Sequence, residues 1–295
     1  MHVAILPYRF DISGLNKFAS EIIDTTGQPI SRKIVMDFAK LDFIDGCGLT
    51  VLENTLAWLF SHNVEINFVN HNRISSLAIT YLDDCGFFKK YLKSSLRSTA
   101  NVRNTTLPCN NFQMEDRHSW LHNKFVPWMA GTMGMEERAF DTLKNCLSEI
   151  FNNIVDHSLK NSGLVHVQHY PKIKRVNITV SDFGQGIPNA IRSRYGAMDD
   201  ATAIEYATNE GVSSQTIPTN RGMGLSILLR TAVLNRMGLI IQSYRGRFLC
   251  NIDAQGKVTS HKLNFDSFYP GTLIEFWFNI ADFVGDEITE QDLEW

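Results

Sequence analysis

The sequence predicts an α/β protein in two parts, each with its own sheet. In the first part, short apolar runs alternate with helical patterns, which is typical of helices packed against a mostly parallel sheet. In the second part, one long amphipathic helix precedes two strands, and further strand-like segments end the chain. That order favours helices on one face of a mixed, largely antiparallel sheet.

The first part contains two buried strands and two helical stretches. Lys33 opens the apolar run KIVMDF, and Val64 opens a second run, VEINFVN; both suit buried strands. The segment LTVLENTLAWLFSHN between them has helical spacing, and a second helical stretch runs from about Arg73 to Lys93. We therefore predict a first domain over residues 1–95.

A polar segment, SSLRSTANVRNTTLPCNN, separates the two parts. It shows little apolar periodicity and contains a proline, so we predict a linker over residues 96–111 and a second domain over residues 112–295. Within that second domain, a helix is expected from Met135 to Ser158. Later elements are expected as strands at 164–170 and 175–182, a helix at 223–236, and strands in LIIQSYRG, RFLCNID, KVTSHKL and GTLIEFWFN.

The composition is that of an ordinary soluble globular protein. A hydrophobic fraction of 44% permits a sizeable core, and a net charge of -3 offers no basic field for nucleic acid or a membrane surface. No run approaches ~18 apolar residues, and the N-terminus lacks a signal-peptide cleavage pattern. Five cysteines without a CxxC pair indicate free thiols. We therefore expect a cytoplasmic protein without nucleic-acid or membrane partners.

The first motif lies on the long helix, in LSEIFNNIVDHS. Glu149, Asn153 and His157 are spaced four residues apart, so they lie on one face of the helix. A carboxylate there can act as a general base, and an amide oxygen suits magnesium. The alternative is a polar face that simply meets solvent.

Two glycine-containing motifs follow. In VSDFGQGIP, a strand ends at Asp182, whose carboxylate can accept a hydrogen bond from an exocyclic amine, and Gly184 and Gly186 let the backbone approach a flat ligand. In NRGMGLSILLR, two glycines precede a helix, which is a ready phosphate site with a neighbouring cation. Each motif alone is weak. The residues of this third motif, NRGMGLSILLR, are Arg221, Gly222 and Gly224.

The ordered set of three motifs resembles the GHKL ATPase superfamily of gyrase-type, chaperone, histidine-kinase and MutL-type nucleotide domains. The resemblance implies ATP and Mg²⁺ as cofactors, with Asn153 as the magnesium ligand, Asp182 with its glycines as the adenine box, and Gly222 and Gly224 as the phosphate box. It also implies an ATP lid over residues 187–221 and places Thr272 near adenine. Within the superfamily, EIFNNIVDH and GMGLSIL are closest to the anti-sigma-factor-type serine kinases.

The segment KIVMDFAKLDFIDGCGLTVLENTL resembles the STAS domain, as does ISSLAITYLDDCGFFKKYL. In phosphorylatable STAS proteins a hydroxyl occupies the position that matches Cys47, so this chain lacks the usual acceptor there. At a helix start, the macrodipole would lower the pKa of the thiol and suit a redox role. The alternative is a small buried residue that fills space.

Three functions remain open from the sequence. The first is a cytoplasmic ATP-binding regulator, in which lid closure controls a STAS-like or sigma-factor-like protein partner. The second is a serine/threonine kinase or ATPase with Glu149 as the base. The third is a non-catalytic scaffold that retains both folds. Related kinases are often dimers, so a homodimer is a further expectation.

His118 and His122, near Glu115, offer a metal site or a solvent-facing role.

Overall fold

The computed structural model describes residues 1–113, 116–157, 162–209, 211–212, 224–253 and 255–286. The strands are β1 (His2–Ile5), β2 (Arg9–Phe10), β3 (Lys33–Asp37), β4 (Phe43–Ile44), β5 (Glu65–Val69), β6 (Thr106–Gln113), β7 (Ser162–Tyr170), β8 (Arg175–Asp182), β9 (Gly238–Ile252) and β10 (Val258–Asn279). The α-helices are α1 (Leu15–Ser20), α2 (Gly46–Ser61), α3 (Leu77–Asp84), α4 (Phe87–Leu92), α5 (Arg117–Trp120), α6 (Val126–Met133), α7 (Asp141–His157), α8 (Ile187–Tyr195), α9 (Asp200–Ala207) and α10 (Gly224–Leu234).

The first unit, formed by β1–β5 and α1–α4, has a parallel sheet in the strand order β1-β3-β5. The alternation of strands and helices in the sequence had predicted this parallel pairing. The helix expected over Arg73–Lys93 is two helices, because α3 ends at Asp84 and α4 begins at Phe87. A second, short parallel ladder joins β2 to β4.

The second unit, formed by β6–β10 and α5–α10, has a five-stranded sheet in the order β6-β7-β8-β10-β9. All four neighbouring pairs are antiparallel, so the sheet is simpler than the mixed one expected. The four strand-like segments at the end of the chain are the two halves of the long β9–β10 hairpin. On one face, α7 and α10 bury Leu147, Phe151 and Leu228 against the sheet.

Two segments that were predicted from their polarity to be irregular contain regular structure. Residues 106–111, assigned to the linker, lie in β6 and pair with β7, where the Thr106 hydroxyl donates to Gln168 at 2.7 Å. The segment 187–209, assigned to a lid loop, contains α8 and α9. Its small apolar residues Ile191, Ala203 and Ala207 form a buried cluster of their own. In both places a few tertiary contacts outweigh a polar local composition.

Strand alternation gives the second sheet two different faces. Val176, Ile178 and Val180 of β8 point to the face that carries α7, which we call the helical face. Asn177, Thr179 and Ser181 alternate with them and point to the opposite face. These polar residues are also buried, at 4%, 1% and 0% exposed. The opposite face must therefore be covered, and we call it the docking face.

Helix α2 of the first unit covers the docking face. Its first turn packs tightly on β7, because a Cβ at Gly46 would lie 2.5 Å from the His166 ring. The same ring is held by the hydroxyl of Tyr81 in α3, at 2.9 Å from Nε2. On the opposite side of α2, leucines such as Leu52 and Leu56 join the core of the first unit. Helix α2 thus packs against the core of the first unit on one side and against the second sheet on the other.

The interface holds a cluster of buried ionisable groups. Cys47 is 1% exposed and hydrogen-bonds to Glu275 of β10, which also accepts from Asn177 at 3.0 Å. Burial raises the pKa of the Cys47 thiol, and the carboxyls of Glu275 and Asp45 raise it further. Burial is also the main cause of the raised pKa of both carboxyls. The low thiol pKa suggested by the helix N-terminus is therefore wrong, and Cys47 is a buried packing residue.

Cys47, Cys85, Cys146 and Cys250 are free thiols, as expected. Within the described ranges, every helix is too short or too polar to cross a membrane.

We predict that the substitution Glu275→Gln makes the stability of the protein less sensitive to pH. Because burial raises the pKa of Glu275 and Asp45, the folded chain holds protons that the unfolded chain releases above about pH 4. The free energy of unfolding should fall as the pH rises from there through neutrality. In the variant this decline should be shallower, as measured by urea unfolding between about pH 5 and about pH 9.

The control is Glu65→Gln on the surface of the first unit. Lys33 lowers the pKa of that carboxyl, with the Nζ atom 2.8 Å from Oε2, so Glu65 cannot produce such a decline. An equal pH dependence in wild type and Glu275→Gln would contradict the assignment of bound protons to this cluster.

Candidate functional site

Three polar residues lie in register across neighbouring strands on the helical face. Asp182 ends β8 and pairs directly with Thr272 of β10, which in turn pairs with Ser243 of β9. Each of the three lies two positions along its strand from a core residue, as Asp182 does from Val180 and Thr272 from Ile274. Because side chains alternate between the two faces of a sheet, all three point to the side that carries α7. The register thus brings together Asp182 and Thr272, which are 90 positions apart in the sequence. We call Asp182, Thr272 and Ser243 the polar row.

The Asp182 carboxyl is buried at 6% exposure and is held by the backbone. It accepts from Gly184 N at 2.5 Å and from the backbone N–H of Thr272. Burial raises the pKa of Asp182 to about 7, although both N–H groups favour the charged form. A carboxylate has about four acceptor positions, so these two bonds leave capacity for a further donor such as an exocyclic amine.

The glycine segment after β8 is held in place from β9. The Ser243 hydroxyl donates to Gly271 O at 2.6 Å and accepts from Ile187 N at 3.1 Å, where α8 begins. The neighbouring Tyr244 donates its hydroxyl to Gln185 O. The ring of Tyr244 also packs against Gly186, where a side chain would collide with it. The loop between Asp182 and α8 is thus built against a rigid strand.

Helix α7 carries the first motif. Glu149 and Asn153 are both exposed and lie four residues apart, so they share one face of the helix. Their neighbour Asn152 is partly buried, and its Oδ1 atom has no hydrogen-bond partner in the described part of the chain. The helix ends at His157, whose side chain lies outside the described residues.

The third motif is only partly described. Gly224 is the first residue of α10, which packs against α7, whereas Arg221 and Gly222 lie outside the described residues. His118 lies in α5 and His122 in the π-helical turn that follows, while Glu115 is outside the described residues. No group of three ligand-type side chains is found where the structure describes the chain.

The described residues fit a nucleotide with a hydrated cation. The polar row presents a carboxyl with remaining acceptor capacity, which suits an amino-substituted base. Exposed carboxylate and amide groups on α7 suit a magnesium ion, because Mg²⁺ prefers oxygen ligands and keeps several waters.

Two residues of the site, Ser243 and Tyr244, were not predicted from the sequence. They lie within the strand-like segment LIIQSYRG and belong to no motif. A serine that faces the core side of a strand was the available signal, because a buried hydroxyl requires partners.

Residues 139–278 match the family model of the Histidine kinase-, DNA gyrase B-, and HSP90-like ATPase. A search of curated proteins found none that matches the chain. The matched segment begins just before α7 and ends within β10, so it includes α7, the polar row and the glycine segment. Residues 1–138 lie outside it, and the STAS resemblance of the first unit stays a prediction. Over residues 139–278 the chain is therefore similar to GHKL-type domains, which bind ATP, usually with Mg²⁺.

Proposed function

We propose that the chain is a regulator in which the binding of Mg-ATP to the second unit controls interactions with a protein partner. The observation that carries the proposal is the polar row, because its buried Asp182 carboxyl suits the amino group of adenine. When bound, Mg-ATP supplies a transferable phosphoryl group. Its phosphates also supply the charge that the phosphate-binding loop holds.

Each motif residue has a role in this proposal. Asp182 accepts from adenine, and Thr272 holds Asp182 through its backbone N–H. Asn153 binds the magnesium ion through its amide oxygen, and His157 extends the same helix face. The phosphate groups bind at the start of α10, where backbone N–H groups and one guanidinium favour anions; these residues are Arg221, Gly222 and Gly224.

The first unit acts as the partner-binding part in this proposal. Its α2 begins with Asp45-Gly46-Cys47-Gly48, and its parallel sheet agrees with the STAS resemblance. The partner is a STAS-like or sigma-factor-like regulatory protein, and a homodimer is a further proposal. The first part of the predicted lid segment contains α8 and α9, which are packed helices with a buried apolar cluster of their own.

A serine/threonine kinase or ATPase is the second candidate. The exposed carboxylate of Glu149 supports it, because a base must reach a water or an acceptor hydroxyl. Cys47, at the position of the STAS phosphoacceptor, is a buried thiol with a raised pKa. An acceptor hydroxyl would therefore belong to a separate protein.

The test of the proposal is calorimetric titration of the full chain with ATP and Mg²⁺, followed by product analysis of the same mixture. Binding without ADP formation supports the regulator, and binding with ADP formation supports the enzyme. The absence of binding would reject both and leave a scaffold that retains two folds.

We predict that Asp182→Asn weakens ATP binding by about 1–3 kcal/mol, the contribution of a buried hydrogen bond to a charged group. Because the pKa of Asp182 is raised to about 7, wild-type affinity should also fall as the pH falls through 7 and the carboxylate gains a proton. The phosphates of ATP titrate nearby but affect both proteins equally. Calorimetry at several pH values measures both effects.

The control for this experiment is Asp253→Asn in the turn between β9 and β10. That carboxyl is exposed and accepts from the turn backbone at Gln255 and Lys257. Unchanged affinity in Asp182→Asn would remove the adenine role of Asp182.

We predict that Glu149→Ala leaves ATP binding within about twofold of wild type and abolishes ADP formation where the wild type shows it. The exposed side chain can be truncated without opening a cavity, so its loss should affect chemistry and not folding. The measurement is ADP release under saturating ATP. Full residual turnover would show that the base lies elsewhere in the chain.

A further inference from the structure

Helix α2 of the first unit makes direct hydrogen bonds to the nucleotide-site strand of the second. Asn54 is fully buried, and its side-chain Nδ2 lies 2.9 Å from the backbone oxygen of Asp182 and 3.0 Å from the hydroxyl of Tyr269. A carbonyl oxygen only accepts, so the amide nitrogen of Asn54 must face it. Both hydrogens of this amide are therefore used between the units.

These two bonds continue as a directed chain to the polar row. Because the single hydrogen of the Ser181 hydroxyl is donated to Thr272 O, the Tyr269 hydroxyl donates to Ser181 Oγ, 2.7 Å away. Ser181 in turn donates to the backbone oxygen of Thr272 at 3.0 Å. Thr272 donates its backbone N–H to the Asp182 carboxyl. Asn54 thus acts on Asp182 twice, directly at its carbonyl group and through Thr272 at its carboxyl group.

The packing around this carbonyl leaves it little room to move. Gly271 lies against it with a φ of +84°, and a Cβ at that position would overlap the Asp182 oxygen. Gly271 also presents its own carbonyl to the hydroxyl of Ser243 at 2.6 Å. The Asp182 peptide is therefore held between Asn54 on the docking face and Gly271 on the neighbouring strand.

A second set of contacts joins the first unit to the same end of the sheet. Arg245 donates to Thr25 O at 2.7 Å, and Ser267 donates to the Asn16 side chain at 2.8 Å. Between them, Phe268 stacks on Tyr244 with ring centroids 4.7 Å apart, and Tyr244 holds the glycine segment through Gln185. The first unit therefore touches both the strand end and the support of the glycine loop.

We propose that Asn54 is a positioning residue for the adenine site, through which docking of the first unit sets the affinity and base preference of the second unit for ATP. The inference rests on the proposed ATP function. With α2 docked, the Asp182 carboxyl is fixed where it can accept from the amino group. With α2 displaced, the strand end loses a buried donor and the chain of hydrogen bonds behind Thr272. Coupling of this kind is reciprocal, so ATP binding strengthens docking of the first unit.

The experiment measures the affinities of full-length wild type and Asn54→Ala for ATP and for ITP, which has a carbonyl group in place of the adenine amino group. Wild type should prefer ATP. In Asn54→Ala the affinity for ATP should fall about tenfold, the effect of one buried hydrogen bond, while the affinity for ITP changes little. General loss of structure would lower both affinities together, so the ratio of the two isolates positioning.

Two further variants make the result decisive. Tyr269→Phe keeps the ring and removes the hydroxyl that links Asn54 to Ser181, so it should lower the ATP/ITP ratio even if Asn54→Ala folds poorly. Tyr81→Phe removes an interface hydroxyl that serves His166 and Gln168 of β7, away from the polar row, and should keep the wild-type ratio.

The outcomes separate the two proposals. A wild type that does not bind ATP overturns the proposed function and this inference together. A wild type that prefers ATP, with the same ratio in Asn54→Ala and Tyr269→Phe, overturns the inference alone. An equal loss in Tyr81→Phe would also overturn it, because the effect would then be general loosening of the interface.

Discussion

The whole architecture depends on the packing of helix α2 between two sheets. A helix in that position can leave no polar group unpaired without a cost of about 1–3 kcal/mol, so its two faces differ in chemistry. Leucines such as Leu52 and Leu56 complete the core of the first unit. Cys47, Thr50 and Asn54, spaced three and four residues apart, lie on one side and meet the polar docking face. The second sheet is consequently buried on both faces, although the docking face carries buried polar residues such as Asn177, Thr179 and Glu275.

A polar interface of this kind favours one defined arrangement of the two units over the strongest possible binding between them. Each hydrogen bond across it contributes modestly, because water would satisfy the same groups after separation. Misplacement is costly, since separation of the two units would remove the Tyr81 hydroxyl from the His166 ring and the Cys47 thiol from the Glu275 carboxyl. Such an interface favours one arrangement of the two units over shifted ones.

Local pattern in the sequence predicted longer elements such as α2, α7 and β8, whereas short elements such as β1, α1 and α5 were not predicted. The bounds of β8 were predicted at Arg175 and Asp182, because alternating β-branched residues end at a glycine-rich turn. Residues 106–111 of β6 were assigned to a linker, since only pairing with β7 makes this polar sequence extended. The partners of Asn54 could not be predicted, because they lie 128 and 215 positions away and a polar residue within a helix ordinarily indicates solvent. The motif residues Asp182 and Thr272 were recognisable singly, whereas Ser243 emerged only from the strand register.

The burial of Cys47 also makes the reactivity of its thiol a measure of how well the two units are docked. An alkylating reagent reacts with the thiolate, and here both solvent exclusion and the two nearby carboxyls oppose that form. Separation of the first unit from the docking face would expose the thiol to the reagent. When closing is faster than alkylation, the labelling rate of this one cysteine follows the fraction of separated molecules, in the way that amide exchange follows local opening. The labelling rate of Cys47 therefore measures the stability of the interface between the two units, and no engineered probe is needed.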